Sequence, residues 1–393
     1  MKTRLLTLVS IFALLLTLGS SVVYAAPPSQ EETTYIVQAG DSLWNLAEEY
    51  LGNGALYPAI VSATNEQHQA DDSFANITDP TLIQVGWKLL IPAAAPEVEL
   101  AAPEPTEVAE QMASESDIVV DGLQYPEGPF WSTQDDMLYF VEWSGDTIWT
   151  LDEDGAEVMF ELEPGDGPCG LYQDADGDLW VTLYSSLKVI EMDPSSGEIL
   201  QTFDNFQGEP FLGPNDLVID AQGGVYFTDS GNFEEDWTEG RAVGAVYYIT
   251  PEGELLQVDS ELVYSNGIFI TVDGEGLIVN EHRQNRILKY AINADGTWSD
   301  PEVFIELEDN YLGDAEYSYE LGPDGMWRDS QGNLWVAHYG GGEVLLISPA
   351  GELLEKILLP QGIYPTNTTL SPDEKTLYVT EGGDGLLYQI DLE

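Results

Sequence analysis

Cysteine is almost missing from this chain: Cys169 is the only one among 393 residues. No intrachain disulfide can form, so the fold must be held by packing and, where ligands permit, by metal. Cationic side chains are nearly as scarce. Eleven Lys and Arg stand against 71 Asp and Glu, a formal net charge of −60. Such a surface repels a polyanion, which excludes nucleic acid as a partner. A run of membrane length is also missing, since the apolar stretch from Leu5 to Leu18 is too short to span a bilayer. The chain is nonetheless 43% hydrophobic and 11% aromatic. It can bury a large core and is not a disordered acidic polymer. Most carboxylates are read as a solvated surface, which keeps the protein soluble, attracts cations and suits high salt. The length allows two or three domains, and nothing in it fixes an oligomeric state.

The first 25 residues read as a secretory signal. Lys2 and Arg4 precede the apolar stretch, and Val23-Tyr24-Ala25 offers a small-residue cleavage site. No cysteine lies near that site, so a lipid anchor is not indicated. The expected location is secreted, extracellular or associated with the cell wall; an uncleaved anchor helix is the alternative.

Residues 34–92 form one small α+β unit with a βααβ pattern. Thr34 to Val37 alternates like a strand. Asp41 fits an N-cap, and Leu43, Leu46, Ala47, Tyr50 and Leu51 follow helical spacing up to Gly52. A second helix is predicted over Leu56 to Thr64, and Lys88 to Pro92 closes as a strand. Tyr35 to Trp44, Asn65 and Val85 to Pro92 together resemble a LysM domain. The resemblance implies binding of N-acetylglucosamine-containing glycan, such as peptidoglycan or chitin. It assigns the contacts to Gly40, Asp41, Ser42 and Leu43, and to Asn65 with Ile83. Glu66 to Thr81 is longer than the short form of this module, and His68 within it is expected to face solvent.

Residues 93–117 are rich in Ala, Pro and Glu and lack periodicity, which predicts an extended linker of roughly 75 Å at about 3.1 Å per residue. From 118 to the end the helical period vanishes. A polar turn followed by an apolar strand recurs, as in Asp176-Gly177-Asp178-Leu179-Trp180-Val181 and Gly332-Asn333-Leu334-Trp335-Val336. Six short turns each restart a strand, and their third residues are Glu127, Cys169, Asn215, Asn266, Asp324 and Thr366. Subtracting successive positions gives intervals of 42, 46, 51, 58 and 42 residues. Such spacing, with several strands per interval, predicts an all-β six-bladed β-propeller over 118–393. The strand near Ile118 to Val120 is expected to complete the last blade and close the ring, which removes exposed edges.

Equivalent positions in a closed ring face one axis. Glu127, Asn215, Asn266 and Asp324 are hard oxygen donors, so this register suits one divalent cation, Ca²⁺ first, with Mg²⁺, Mn²⁺ or Zn²⁺ as other choices. Asp174 to Asp178 is not an EF-hand loop: Leu179 and Ser185 occupy the places that need Gly and Glu. It reads as a hairpin turn, and Cys169 as a small buried residue. Gly231 to Gly244 and Asn310 to Tyr319 are insertions that could shape a pocket.

The motifs Pro126-Glu127-Gly128-Pro129, Pro214-Asn215-Asp216, Ser265-Asn266-Gly267-Ile268 and Pro323-Asp324-Gly325-Met326 resemble the regucalcin–gluconolactonase family of six-bladed propellers. The resemblance implies that Glu127, Asn266 and Asp324 ligate one cation, that Asn215 ligates it or contacts substrate, and that Asp324 is the general base of a lactone hydrolase. One departure concerns substrate. Sugar-lactone members often carry Arg two residues before the asparagine of Pro214-Asn215-Asp216, and here that position is Gly213. The alternatives are a non-enzymatic binding propeller with a structural cation, a phosphotriesterase-like hydrolase, or a lyase. His282 and His338 follow strands and are read as packed or surface residues, with proton shuttling as the other role.

Overall fold

The computed structural model describes residues 33–38, 43–51, 57–71, 73–75, 77, 83, 86–92 and 108–392. The expected signal, residues 93–107 of the expected linker, and Gly40, Asp41 and Ser42 lie outside the described residues. The chain divides into two compact units, Met1–Thr106 and Glu107–Glu393.

In the first unit, strand Thr33–Ile36 pairs antiparallel with Lys88–Ile91. Helices α1 (Leu43–Leu51) and α2 (Tyr57–Ala70) lie between them in sequence. Leu43, Leu46, Ala47 and Leu51 of α1 are buried with Ile60, Ile77 and Leu89, as helical spacing requires. The second helix continues past Thr64. No Gly or Pro stops it, and Asn65 to Ala70 are all tolerated in a helix. His68 does not face open solvent; its Nδ1 lies 2.7 Å from the Phe74 carbonyl oxygen.

The second unit is a six-bladed propeller. Blade 1 begins at strand Pro126–Ser132 and blade 2 at Pro168–Gln173. Blades 3 to 6 begin at Pro214–Ile219, Ser265–Ile270, Gly322–Arg328 and Pro365–Leu370. Blades 1 to 4 are four-stranded antiparallel meanders. Blade 6 takes its fourth strand from Ile118–Val120, which pairs with Leu386–Asp391. The innermost strand of blade 6 packs against that of blade 1, so the ring closes.

Blade 5 carries a fifth strand. Ala109–Met112, inside the segment expected to be linker, pairs parallel with Leu353–Leu358. This strand is mostly exposed, so it has no apolar alternation to betray it in the sequence. Its backbone satisfies the edge of the blade instead.

The core is a ring of clusters between blades. Tyr139, Val141 and Ile148 of blade 1 meet Leu179, Val181 and Ile190 of blade 2. Leu138 and Phe140 turn the other way, toward Tyr378 and Leu387 of blade 6. Successive side chains of a strand face opposite sides of its sheet. Each blade is covered on both sides, so its strands read as continuous apolar runs. The axis of the ring is thereby left to polar residues.

Many of the acidic residues have a local task in the turns. Asp174, Asp220 and Asp329 each follow an innermost strand, and each turns an Oδ1 back to accept backbone N–H groups at 2.8–3.0 Å. These are Asx turns, which explain acidic residues at hairpins.

Candidate functional site at the propeller axis

In every blade the ladder between the first two strands shifts register where the turn motif enters. The shifts fall at Glu127/Phe130, Val181/Leu183, Pro214/Leu217, Ser265/Ile268, Pro323/Met326 and Pro365/Asn367. A bulge adds an unpaired residue and re-aims its side chain. Glu127, Cys169, Asn215, Asn266 and Asp324 consequently line one cavity. All five are at most 7% exposed. The sixth register residue, Thr366, is outside this lining. Its hydroxyl donates to the Pro126 carbonyl at 2.7 Å and lies 2.8 Å from Thr380 Oγ1.

Two further polar positions, missed in the sequence, hold these residues in place. A residue from the second strand of one blade reaches the backbone of the next. Thr182 donates to the Asn215 carbonyl, Thr228 to that of Asn266 at 2.7 Å, and Asn280 to that of Asp324. The next place along that strand carries a buried acid in four blades. Glu142 accepts from Gln124 N, and Asp229 accepts from Leu212 N and Gly213 N. Glu281 accepts from Val263 N, and Glu381 from Tyr364 N. Each braces the turn that leads into its own innermost strand. The signal was available in Phe227-Thr228-Asp229, Val279-Asn280-Glu281 and Val379-Thr380-Glu381, at one phase of the repeated strand.

The residue after the register position is Gly in four blades, and Asp216 and Asn367 in blades 3 and 6. Those two blades face each other across the ring, and Asn367 Nδ2 donates to Asp216 Oδ2 at 3.4 Å. The glycines make room for this crossing pair. A Cβ on Gly325 would lie 1.9 Å from Asn367 Cγ, and one on Gly128 would lie 2.1 Å from the Cys169 carbonyl oxygen. Gly325→Ala is therefore expected to destabilise the propeller by about 2–3 kcal/mol through overpacking. A thermal melt matching that of the parent chain would refute this tight floor.

The cavity walls are aromatic. Trp143, Tyr184, Tyr264 and Tyr339 line it, with Phe233 and Trp237 from the insertion Gly231 to Gly244. Phe233 and Trp237 stack at 4.6 Å between centroids and 15° between planes. Tyr319 of the second insertion packs edge-on against Trp237 at 5.5 Å. Arg283 ties the two insertions together, donating to the carbonyls of Trp237 and Tyr319, each at 2.6 Å. Both insertions thus serve the pocket.

Burial governs the electrostatics. Desolvation first, then the charges of Asp324 and Asp216, hold the Glu127 carboxyl well above the usual range. Desolvation and Asp216 do the same to Asp324. Burial pushes Asp216 up to about 7. The Cys169 thiol is raised well above its ordinary value by burial and by the same three acids. His282 lines the cavity, with Nε2 at 3.0 Å from the Glu320 carbonyl, and burial lowers it to about 3. It stays neutral and cannot cycle a proton near pH 7. His338 is fully buried between Glu343 Oε1 and Asn285 Oδ1, each at 3.0 Å, outside the lining. Asp174, Asp178 and Glu191 also bring carboxylate oxygens within 4.8 Å of one another. Asp174 there is engaged by three N–H groups and the Trp180 indole, which is the work of a hairpin turn.

In the first unit, the expected glycan residues within the described set are engaged internally. Leu43 is buried, and Ile83 packs against the core. The Asn65 side chain pairs with both backbone groups of Ile77, at 2.8 and 2.6 Å.

Residues 125–383 match the family model described as SMP-30/Gluconolactonase/LRE-like region. The chain belongs to this family. Residues 35–92 match the LysM domain. A gluconolactonase of Zymomonas mobilis subsp. mobilis is 25% identical over 285 residues, 67% of this chain and 78% of that one. A lactonase drp35 of Staphylococcus aureus is 30% identical over 187 residues, 45% of this chain and 54% of its own length. This chain therefore spans about half of drp35. Among solved structures, a gluconolactonase from Xanthomonas campestris superposes with a TM-score of 0.59 at 23% identity, covering 70% of this chain and 89% of that one. A calcium-binding protein, regucalcin, from Agrobacterium tumefaciens gives 0.58 at 18% identity, covering 72% and 96%. These structures share the propeller fold. The protein thus joins a LysM domain to a lactonase-like propeller of the SMP-30/gluconolactonase family.

Proposed function

We propose that this protein is a secreted, wall-retained lactone or ester hydrolase that works with one divalent cation. One observation carries the reading: Glu127, Asn215, Asn266 and Asp324, from four different blades, converge on one buried cavity. No Lys or Arg among the described residues lines that cavity. Buried carboxylates need a partner of opposite charge or must stay protonated. The donor set fits a cation. It consists of two carboxylates and two amides, which are hard oxygen donors, and the only soft donor, Cys169, is kept protonated by burial. Such a set favours Ca²⁺ over Zn²⁺.

Glu127, Asn266 and Asp324 would hold the cation, with Asn215 as a fourth donor or a substrate contact. The bound cation supplies Lewis-acid polarisation of the acyl oxygen. Asp324, ionised when the cation is bound beside it, would take the proton of the attacking water. The bulged backbone holds Asp324 for this role, with its carbonyl fixed by Asn280. The LysM domain would hold the chain on N-acetylglucosamine-containing glycan through Gly40, Asp41 and Ser42, with Leu43, Asn65 and Ile83 supporting that site from within the fold.

Metal analysis and turnover test this reading together. The expected result is one divalent ion per chain, with lactone hydrolysis abolished by chelation and restored by Ca²⁺. The full chain should sediment with peptidoglycan, and a chain beginning at Glu107 should not. One ion without turnover of any lactone or ester would leave a binding protein in its place.

A further inference from the structure

Resting on the hydrolase reading above, we infer that His338 and Glu343 form a buried ion-paired clamp that positions the cavity wall, tying Tyr339, the turn that carries His282 and the second insertion to one point. Blade 5 breaks the repeat at this place. His338 pairs with Pro323 in the ladder, as Glu142 pairs with Pro126, Asp229 with Pro214 and Glu381 with Pro365. Those acids brace the turn of their own blade. His338 turns instead to a neighbouring blade and to an insertion.

The partners of His338 fix its charge. Nδ1 lies 3.0 Å from Oε1 of Glu343, the residue directly opposite across the hairpin. Nε2 lies 3.0 Å from Asn285 Oδ1. The Asn285 amide is oriented by its other contacts. Its Nδ2 donates to the carbonyls of Leu307 at 3.4 Å and Glu308 at 3.2 Å, and to Asp309 Oδ1 at 3.4 Å. The amide oxygen is therefore what faces the ring. Both ring nitrogens meet acceptors, and only an imidazolium has two N–H donors. His338 is fully buried and Glu343 is 2% exposed. A charge so placed persists only when it is paired and hydrogen-bonded. Burial by itself would raise the Glu343 carboxyl; the His338 and Asn310 contacts and the Lys356 charge bring it below its ordinary value. Lys356 Nζ stands 3.8 Å from Glu343 Oε2 and 3.0 Å from Glu308 Oε2. Asp309 on the insertion side, with His282 and Arg283 on the neighbouring turn, completes the ionisable surroundings.

Three segments of the cavity wall meet at this pair. Asn285 ends the turn His282–Gln284, so the Nε2 contact holds the turn that brings His282 to the cavity. Asn310 opens the second insertion. Its Nδ2 donates to Glu343 Oε1 at 2.5 Å, while its Oδ1 is buried without a partner. Tyr339 follows His338 directly, lines the cavity, accepts from the Tyr125 hydroxyl and packs on Tyr364 at 4.6 Å between centroids. Bare glycines make the convergence possible. A Cβ on Gly341 would lie 2.9 Å from His338 Nδ1 and 3.2 Å from Asn310 Oδ1, and one on Gly340 would lie 2.8 Å from the Tyr311 ring. The insertion rests on this turn, where Leu312 N–H donates to the Gly340 carbonyl at 2.9 Å.

The test uses the full chain loaded with Ca²⁺ and labelled with ¹⁵N at its 3 histidines. Long-range ¹H–¹⁵N correlation at pH 7 reads each ring, and the His338 signals are those lost in His338→Gln. The expected result is two protonated nitrogens for His338 and one for His282. In Glu343→Gln the His338 ring should lose one proton. Amide exchange of Tyr339 and residues 311–319 should then quicken at least ~10-fold, while the distant turn at Asp174 keeps its rate. KM for δ-valerolactone should rise ~10-fold with kcat within ~3-fold of the parent, because the clamp acts on the wall and touches no reacting atom. Asn310→Ala, at a half-buried position outside the pair, should reproduce the exchange and KM changes and leave His338 doubly protonated. It decides the matter even if Glu343→Gln does not fold. A neutral His338 ring in the parent chain would overturn the inference, as would unchanged exchange in Asn310→Ala. An unchanged KM in a variant that still folds would confine the pair to stability and overturn its positioning role. If the parent chain hydrolyses no lactone, the hydrolase reading fails, and ring protonation with amide exchange still decides the clamp.

Discussion

Asp324→Asn is expected to lower kcat for lactone hydrolysis at least ~10³-fold while leaving the propeller folded, in line with the loss of a positioned proton acceptor. The substitution keeps the size and one oxygen of the side chain but removes its charge and its ability to accept the proton of water. The Asp324 backbone carbonyl is held by Asn280, and its motif sits in a bulge defined by the Pro323/Met326 register shift. Neither depends on the carboxylate, so the mutant should still unfold in one cooperative melt, with its Tm in Ca²⁺ lowered by the lost cation ligand. Glu127→Gln should separate the two roles. It removes a cation ligand and no base, so its cation affinity should fall by ~100-fold, with much of the rate recovered at high Ca²⁺. Full activity in Asp324→Asn would remove this residue from the mechanism, and equal cation affinity in Glu127→Gln would remove the ring from the metal site.

Chelation should make the propeller's stability fall steeply with rising pH. Burial raises Asp216 from an ordinary 3.8 to about 7, and raises Glu127 and Asp324 well above the ordinary range. The unfolded chain therefore releases these protons at lower pH than the native one. Between about pH 4 and 7 the native state binds more protons, so stability present at pH 4 is lost as the pH climbs. For Asp216 alone the loss is on the order of 4 kcal/mol, at about 1.4 kcal/mol per unit. That corresponds to a drop in Tm on the order of 10 °C for a domain of this size. A bound cation pairs with the ionised carboxylates and reverses the trend, since a ligand of the native state raises its stability. Melts at pH 5 and pH 8, with chelator and with Ca²⁺, check this. Asp216→Asn in chelator should flatten the slope and so separate it from the general repulsion of an acidic chain. An unchanged slope in that variant would mean that the buried acids do not set the pH response.

The ring was legible in the sequence because blades repeat. Glu127, Asn215, Asn266 and Asp324 share a register, and the strand phrase recurs between them, so a six-fold architecture and a common axis follow together. The βααβ order of the first unit was legible for the same kind of reason, since the spacing of Leu43, Leu46, Ala47 and Leu51 is helical. Other features carried no periodic signal. Ala109–Met112 is a strand only because the exposed edge of blade 5 accepts its backbone. Asn65 stood out in the sequence, but its use on the Ile77 backbone depends on what folds beside it.

By itself, then, the sequence determined the number of blades, the closing strand and the oxygen-rich register, because each rests on local pattern and chain spacing. Tertiary structure decided what surrounds that register. Asp216 and Asn367 meet across the axis though 151 residues apart, and Phe233 and Trp237 come from an insertion whose length alone was visible. Proximity of this kind is set by ring closure, which no local pattern encodes. The same closure takes Glu127, Asp216 and Asp324 out of water together, and that shared desolvation is what gives the site its chemistry.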